Sequence, residues 1–292
     1  MKIIFAIIIF PTFVFAQQRV KGIIINSNTK IPIPYATLGL MNKNIGTTSS
    51  ENGLFEIQCN AFFEKDSLLI TCTGYEPRVI SFNLKDSAFA TIELKENVIA
   101  LDEIIISPKK DWAYVTVNDF TSFDHNYVSS TGFVTQLAQH FKLPQQKSIL
   151  CHIKIGKLGG LFKNSKSIFK IHIYDIDSIT KGPSAELTTA LIEVKSTKAI
   201  VNIDVKKYKI FIPNSDFFIA IEWLKIPYNK MNHTQIVNGT KSEHITYLPS
   251  ISYIYNGNSI YGVWMLDYKN VWRINSKSTG NKGLAIAATV KY

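Results

Sequence analysis

From Val20 onward the chain is built of short runs rich in β-branched and aromatic residues, each ended by residues that favour turns. The runs 20–25, 35–41, 54–58, 68–73, 79–84 and 89–94 are parted by Asn26-Ser27-Asn28, Asn42-Lys43-Asn44 and Glu51-Asn52-Gly53, among other breaks. Such residues tolerate turn geometry, so the chain must reverse direction again and again over short distances. That pattern builds a β-sandwich and leaves no room for the long helical crossovers of βαβ units. Asn52-Gly53 suits a tight hairpin turn. Pro32 and Pro34 keep Ile33 extended and deny a sheet two backbone donors, which marks 31–34 as a sheet edge.

A second series of runs, 149–155, 168–174, 191–194, 200–205, 208–212, 217–223, 251–255, 263–266 and 284–292, predicts a further β-sandwich, with a jelly roll as one form it could take. Pro108-Lys109-Lys110 breaks the pattern between the two series, so 108–144 reads as a linker of open structure. Inside it Phe133, Leu137 and Phe141 fall four apart with Val134 and Ala138 beside them, which fits one amphipathic helix and a strand equally well. The expected organisation is a leader over 1–16, a sandwich over 17–107, the linker over 108–144 and a second sandwich over 145–292. At 292 residues two domains are natural, and 46% hydrophobic residues can fill both cores.

The leader sets the compartment. Lys2 precedes an apolar stretch from Ile3 to Phe10, and Val14-Phe15-Ala16 supplies small residues before a cut ahead of Gln17. The stretch is shorter than the roughly 20 residues that span a bilayer, and no later segment qualifies. The mature chain is therefore expected to be exported, to periplasm or cell surface, without a transmembrane segment. The first cysteine is Cys59, so no lipid anchor is expected at the cut.

Charge is unevenly placed. The formal net charge is +10, yet 17–107 holds 8 Lys/Arg against 10 Asp/Glu, while 108–292 holds 23 against 12. A basic second half attracts anionic surfaces. Arg78 and Arg273 are the only arginines beyond Arg19, however, and this scarcity of planar bidentate donors argues against a nucleic-acid partner.

Three cysteines allow one disulfide. Strand alternation puts Cys59 on a face with Phe55 and Ile57, and Cys72 on a face with Leu68 and Ile70, so Cys59 and Cys72 are a candidate pair against two buried thiols. Cys151 reads as structural. Asp175 and Asp177 alternate as calcium ligands would but lack the rest of a calcium loop, so a capped turn is the plainer reading. His152 and His172 lie on strand-like runs and read as satisfied histidines. No zinc motif, phosphate-binding glycine loop or Gly-x-Ser-x-Gly elbow is present, so no metal and no cofactor is expected. The candidate ligand site is aromatic: Tyr253, Tyr255, Trp264, Tyr268 and Trp272, with Tyr261 and several amides between them, could stack on sugar faces. Rings filling a β core would give the same pattern.

The succession Val20-Lys21-Gly22, Ile33-Pro34-Tyr35-Ala36-Thr37, Gly46-Thr47-Thr48, Glu51-Asn52-Gly53-Leu54-Phe55-Glu56-Ile57, Asp66-Ser67-Leu68-Leu69-Ile70, Gly74-Tyr75 and Leu101-Asp102-Glu103-Ile104 resembles the carboxypeptidase-regulatory-like domain of exported bacterial proteins. The resemblance covers about residues 17–107. It implies a seven-stranded, transthyretin-like (Ig-like) sandwich used as an accessory module, often at the front of TonB-dependent outer-membrane receptors. It implies no catalytic residues. The His-x-x-Glu zinc motif of metallocarboxypeptidases is absent, since none of His125, His140, His152, His172, His233 and His244 has Glu three positions later. The chain beyond Ile106 is too short for a receptor barrel with its plug. Phe169 to Asp175 and Asp216 to Trp223 resemble strands of jelly-roll, galactose-binding-like modules. The functional expectation is a non-catalytic cell-envelope protein that binds a glycan or an envelope protein. A structural accessory pairing with an outer-membrane protein is the alternative, and an enzyme comes last.

Overall fold

The computed structural model describes residues 18–59, 65–83, 89–97, 112–132, 134–158, 166–237, 240–255, 262–275 and 282–292. The leader expected over 1–16 lies outside them. Among the described residues strands carry the structure, and helix is limited to two single turns, Lys206–Tyr208 and Pro227–Asn229.

Seven strands form the first domain: β1 (Gln18–Asn26), β2 (Thr37–Leu40), β3 (Ile45–Thr48), β4 (Leu54–Cys59), β5 (Lys65–Thr71), β6 (Arg78–Asn83) and β7 (Ala90–Leu94). They make two sheets, β4-β1-β7 and β3-β2-β5-β6, which is the seven-stranded sandwich expected. Alternation fills its core, as Val20 and Ile24 of β1 meet Leu38 and Leu40 of β2, Phe55 and Ile57 of β4, and Leu68 and Ile70 of β5. Gly53 takes a φ of +72°, the turn conformation that its place after Asn52 predicts. Ile33 plugs the core while Ile31 stays exposed, and the 31–34 stretch makes only an isolated bridge, Pro32 to Ile25.

The second domain comprises β8 (Tyr114–Val117), β9 (Tyr127–Ser130), β10 (Val134–Lys142), β11 (Ser148–Gly156), β12 (Ser167–Ile176), β13 (Pro183–Glu186), β14 (Ile192–Ser196), β15 (Ile200–Asp204), β16 (Phe211–Ile212), β17 (Asp216–Trp223), β18 (Lys230–Val237), β19 (Thr240–Ile254), β20 (Val263–Asp267), β21 (Trp272–Ile274), β22 (Gly283–Leu284) and β23 (Ile286–Lys291). One sheet runs β13-β12-β17-β10-β20-β21 with β14 also on β12, a second runs β15-β11-β23-β8 with β16 on β11, and a third runs β18-β19-β22 with β9 on β19. The first two enclose a core that includes Leu137, Phe141, Phe169, Ile171, Ile219, Ile153, Ile155, Ile286 and Val290.

The linker expected over 108–144 is corrected by this arrangement. It contains β8, β9 and β10, and β10 lies between β17 and β20 inside the largest sheet. Both faces of β10 are buried, so it shows neither the polar stripe of an amphipathic helix nor the alternation of a half-exposed strand. Phe133 lies outside the described residues. No described helix is long and apolar enough to cross a membrane.

Candidate functional site

The site begins with the alternation of β12. Phe169, Ile171 and Ile173 enter the core of the second sandwich, so Ile168, Lys170, His172 and Tyr174 must point the other way. That face would ordinarily meet water. Here it is buried too, because the sheet of the first domain lies against it. Cross-strand register then aligns Lys170 with Glu222 of β17, Glu222 with Gln136 of β10, Gln136 with Leu266 of β20, and Leu266 with Trp272 of β21. This single row leads from beneath the first domain to an edge of the sheet.

At its covered end lies an ionic cluster. His172 places Nδ1 2.8 Å from Glu186 Oε1 and Nε2 2.8 Å from Glu222 Oε2. Lys170 Nζ lies 3.8 Å from Glu222 Oε2 and donates to the Tyr35 carbonyl at 2.6 Å. Thr37 of the first domain donates its hydroxyl to Glu222 Oε1 at 2.5 Å. Lys170, His172 and Glu222 are each almost fully buried. Burial works against every one of these charges, and their mutual attraction overrides it. The Glu186 and Glu222 carboxylates raise His172 to about 9. Lys170, His172 and the Thr37 hydroxyl hold Glu222 down at about 2 despite its burial. Lys170 is raised by Cys72 and by three carboxylates, those of Glu222, Glu186 and Glu193. At neutral pH the cluster therefore carries two positive and two negative charges. Each ring nitrogen of His172 meets an oxygen, which is the arrangement that makes a buried ion pair tolerable.

Other contacts lock the domains in register. Tyr35 packs with Ile168, Leu224 and Ile226 in an apolar cluster that spans the junction. Lys225 donates its backbone N–H to Thr48 Oγ1 at 2.9 Å and its Nζ to the Gly46 carbonyl at 2.7 Å. Tyr268 donates its N–H to Asn44 Oδ1 at 2.9 Å. Its ring lies on the glycine surface of β2 and β3, and a Cβ on Gly39 would come within 2.6 Å of the Tyr268 carbonyl oxygen. Only glycine permits that approach.

Beside the cluster opens a cleft of about 400 Å³ whose walls come from both domains. Thr71, Cys72, Thr73, Gly74 and Tyr75 form one wall, and Ser184, Glu186, Thr188, Tyr268 and Trp272 belong to the other. Trp272 meets the Tyr174 ring edge to face at 5.4 Å and remains half-buried. Tyr174 donates its hydroxyl to Gln136 Oε1 at 2.9 Å, and burial raises its pKa well above the ordinary value.

The five aromatic residues expected to form a ligand site do not share one surface. Tyr268 and Trp272 line the cleft. Trp264 packs behind it with Tyr174, Phe218 and Trp272, and closes over Gly182. Tyr253 is buried in the core of the second sandwich and pairs with Leu284. Tyr255 is exposed beside Asn126 and Lys282. The split follows from topology, because Tyr253 and Tyr255 belong to β19 and its end, in the third sheet.

The Cys59–Cys72 bridge is likewise corrected on the Cys72 side, which is a free thiol. Its Sγ lies 3.9 Å from Lys170 Nζ, turned toward the junction, and burial pushes its pKa up. The Cys59 side chain lies outside the described residues. Cys151 is buried, as a structural thiol should be. Asp177 accepts N–H bonds from Ile179 and Thr180 and so caps a turn, while Asp175 accepts the Asn214 amide. His152 and His172 lie in different sheets. No group of three or more potential metal ligands occurs among the described residues.

Lys170, His172, Glu186, Glu222 and Thr37 were not singled out together by the sequence. The available signal was Phe169-Lys170-Ile171-His172-Ile173-Tyr174, where polar residues alternate with apolar ones in a long strand. Nothing local says that the polar face will be covered. Glu222 is 185 positions from its partner Thr37.

No curated protein sequence matches the chain significantly. Among solved structures, the cysteine protease and lectin-like domains of Cwp84, a surface-layer-associated protein of Clostridium difficile, align at 10% identity over 88% of this chain, with a TM-score of 0.35. The chain spans 58% of that structure. A clostridial Cwp84 variant after propeptide cleavage aligns at 9% identity over 95% of this chain and 71% of its own, with a TM-score of 0.34. At these TM-scores neither likeness bears on the fold or role of this chain. The sequence of the first domain is more informative: residues 20–106 match the family model described as CarboxypepD_reg-like domain, in agreement with the seven-stranded sandwich found there.

Proposed function

We propose that this is an exported, non-catalytic binding protein of a Gram-negative cell envelope, and that its ligand occupies the cleft at the junction of the two sandwiches. The observation that carries this reading is the shared construction of the cleft. Both domains supply its walls, and a buried ionic cluster holds those walls in place, so the site is preorganised and needs no folding on binding.

The same geometry disfavours nucleophilic catalysis there. Cys72, His172 and carboxylates do meet at the cleft, as they would around an active thiol. Yet His172 is held as an imidazolium with both nitrogens engaged, so it has no lone pair to accept a thiol proton. The Cys72 thiol is shifted away from thiolate, the reverse of an activated nucleophile.

The reading is tested by thermal shift and calorimetric titration of the purified chain against a ligand library, repeated on Trp272→Ala. A ligand whose binding disappears with Trp272 supports the cleft, and binding indifferent to every cleft substitution removes it. Export is tested by fractionating producing cells and sequencing the mature amino terminus, for which a start at Gln17 is expected.

A second reading is favoured by the larger groove of about 810 Å³ on the other side of the junction. It runs beside β3 and β4, each at the edge of its sheet, and exposes Leu54, Phe89 and Ile245. A partner protein could pair there through an added strand. Co-purification from envelope extracts that is lost on Leu54→Asp would establish this reading.

A further inference from the structure

On a chain of net charge +10, the described residues that line the junction cleft include neither Lys nor Arg. The charges that do border it are matched. Lys170 and His172 balance Glu222 and Glu186, and Asp267 sits 3.3 Å from the guanidinium of Arg273. Among the described residues an anionic ligand would find no cation free to meet it, and a cationic one no uncompensated carboxylate. What the walls offer instead is hydroxyl and amide: Thr71, Thr73, Ser184 and Thr188, with Asn97 and Asn270 at the rim. Two features give this lining direction. Trp272 presents a half-buried indole, braced by Tyr174. Glu186 spends Oε1 on His172, its carboxyl remains partly exposed, and Oε2 has no partner among the described residues. Its position is fixed before any ligand arrives, because His172 is itself tethered to Glu222.

We infer that the cleft binds an uncharged carbohydrate, with one sugar ring stacked on Trp272 and ring hydroxyls donating to the outer oxygen of Glu186. Apolar sugar faces pack on aromatic rings, and a carboxylate accepts hydroxyl donors more strongly than a neutral oxygen does. The matched charges exclude acidic glycans by leaving their carboxylates or sulfates desolvated and unpaired. The volume of about 400 Å³ accommodates a short oligosaccharide segment, not a folded partner. The inference rests on the cleft being the binding site.

The test separates the two claims. The purified exported chain is titrated calorimetrically, at low and high salt, with neutral cello-, manno-, laminari- and N-acetylchito-oligosaccharides, with acidic oligogalacturonate and heparin, and with deacetylated, cationic chitosan oligomers. The expected result is salt-resistant binding to a neutral class that falls at least tenfold in Trp272→Ala and severalfold in Glu186→Gln, with Trp272→Phe retaining part of it. Circular dichroism checks that each variant is folded, and the conservative variants carry the test if Trp272→Ala is not. Cleft-dependent binding of the acidic or cationic oligomers in preference to the neutral ones overturns the ligand class and leaves the site standing. Neutral binding unaffected by Trp272 and Glu186 overturns the site, and the inference with it. No saccharide binding at all overturns the inference.

Discussion

The cores of the two sandwiches and the junction between them are held by opposite chemistry. In the core of each domain the contacts are apolar, as with Ile24 and Leu38 from the two sheets of the first or Phe141 stacked on Phe217 of the neighbouring strand in the second. Between the domains the central contacts are polar: the charged row of the second domain, Lys170, His172, Glu186 and Glu222, reaches the first through the Thr37 hydroxyl on Glu222 and the Tyr35 carbonyl on Lys170, with the apolar Tyr35 cluster to one side. A hydrophobic core tolerates many arrangements of the right volume. A buried polar contact is more exacting, since the Glu222 carboxylate and the Lys170 ammonium must meet the Thr37 hydroxyl and the Tyr35 carbonyl or leave those groups unpaired. The cores therefore make each domain fold, while the junction decides how the two sit together.

This contrast can be broken most forcefully at Lys170. Replacing it with Met leaves Glu222 short of a counter-charge in a buried site, and a loss of about 3–5 kcal/mol is expected in urea unfolding. Lys170→Met combined with Glu222→Gln should cost less than the sum of the two single changes. Strict additivity would show that the pair is not coupled.

The pH dependence sharpens the same point. His172 is raised from 6.5 to about 9, so its contribution is complete below 6.5 and is lost as pH climbs toward 9. Glu222 is lowered from 4.5 to about 2, so its contribution is complete above 4.5 and fades as pH falls toward 2. Thermal stability should peak between those limits, and His172→Gln should flatten the alkaline side. An unchanged alkaline limb in that variant would mean that another group governs it.

A smaller effect is expected at the glycine surface. Gly39→Ala places a methyl group against Tyr268 and should cost about 1–3 kcal/mol in thermal or urea unfolding. Most of that cost should persist in a Tyr268→Ala background, because the closest approach is to the Tyr268 carbonyl oxygen, which alanine keeps. Smallest of all is Lys30→Ala, which removes a 2.6 Å ion pair to Glu93 between exposed side chains. Less than about 1 kcal/mol is expected, with any effect fading at high salt.

The same contrast explains what could be read from the sequence. The first sandwich was legible because its signals are local: Asn52-Gly53 at a turn, alternating Phe55 and Ile57, and prolines that bracket Ile33. β10 was illegible because Gln136, Ala138 and His140 are buried on the face opposite Leu137 and Phe141, which erases the periodicity. Of the aromatic residues, Tyr268 and Trp272 do reach the cleft, while Tyr253 fills a core. Residue type alone cannot separate those fates. The ionic cluster was the hardest to see, because its meaning lies in pairings between strands remote in sequence.

The placement of β23 also bears on how the molecule is made. It lies between β8 and β11, pairing Val117 with Ala288 on one side and Ile153 with Ala288 on the other. Until that strand emerges, β8 has no neighbour in its sheet and β11 keeps an open edge. The second sandwich must therefore close its longest loop last, and non-local closure of this kind is slow. The first sandwich, complete by β7, can form while the second is still searching, and its Thr37 and Tyr35 then offer a finished template on which Lys170 and Glu222 are sorted into place.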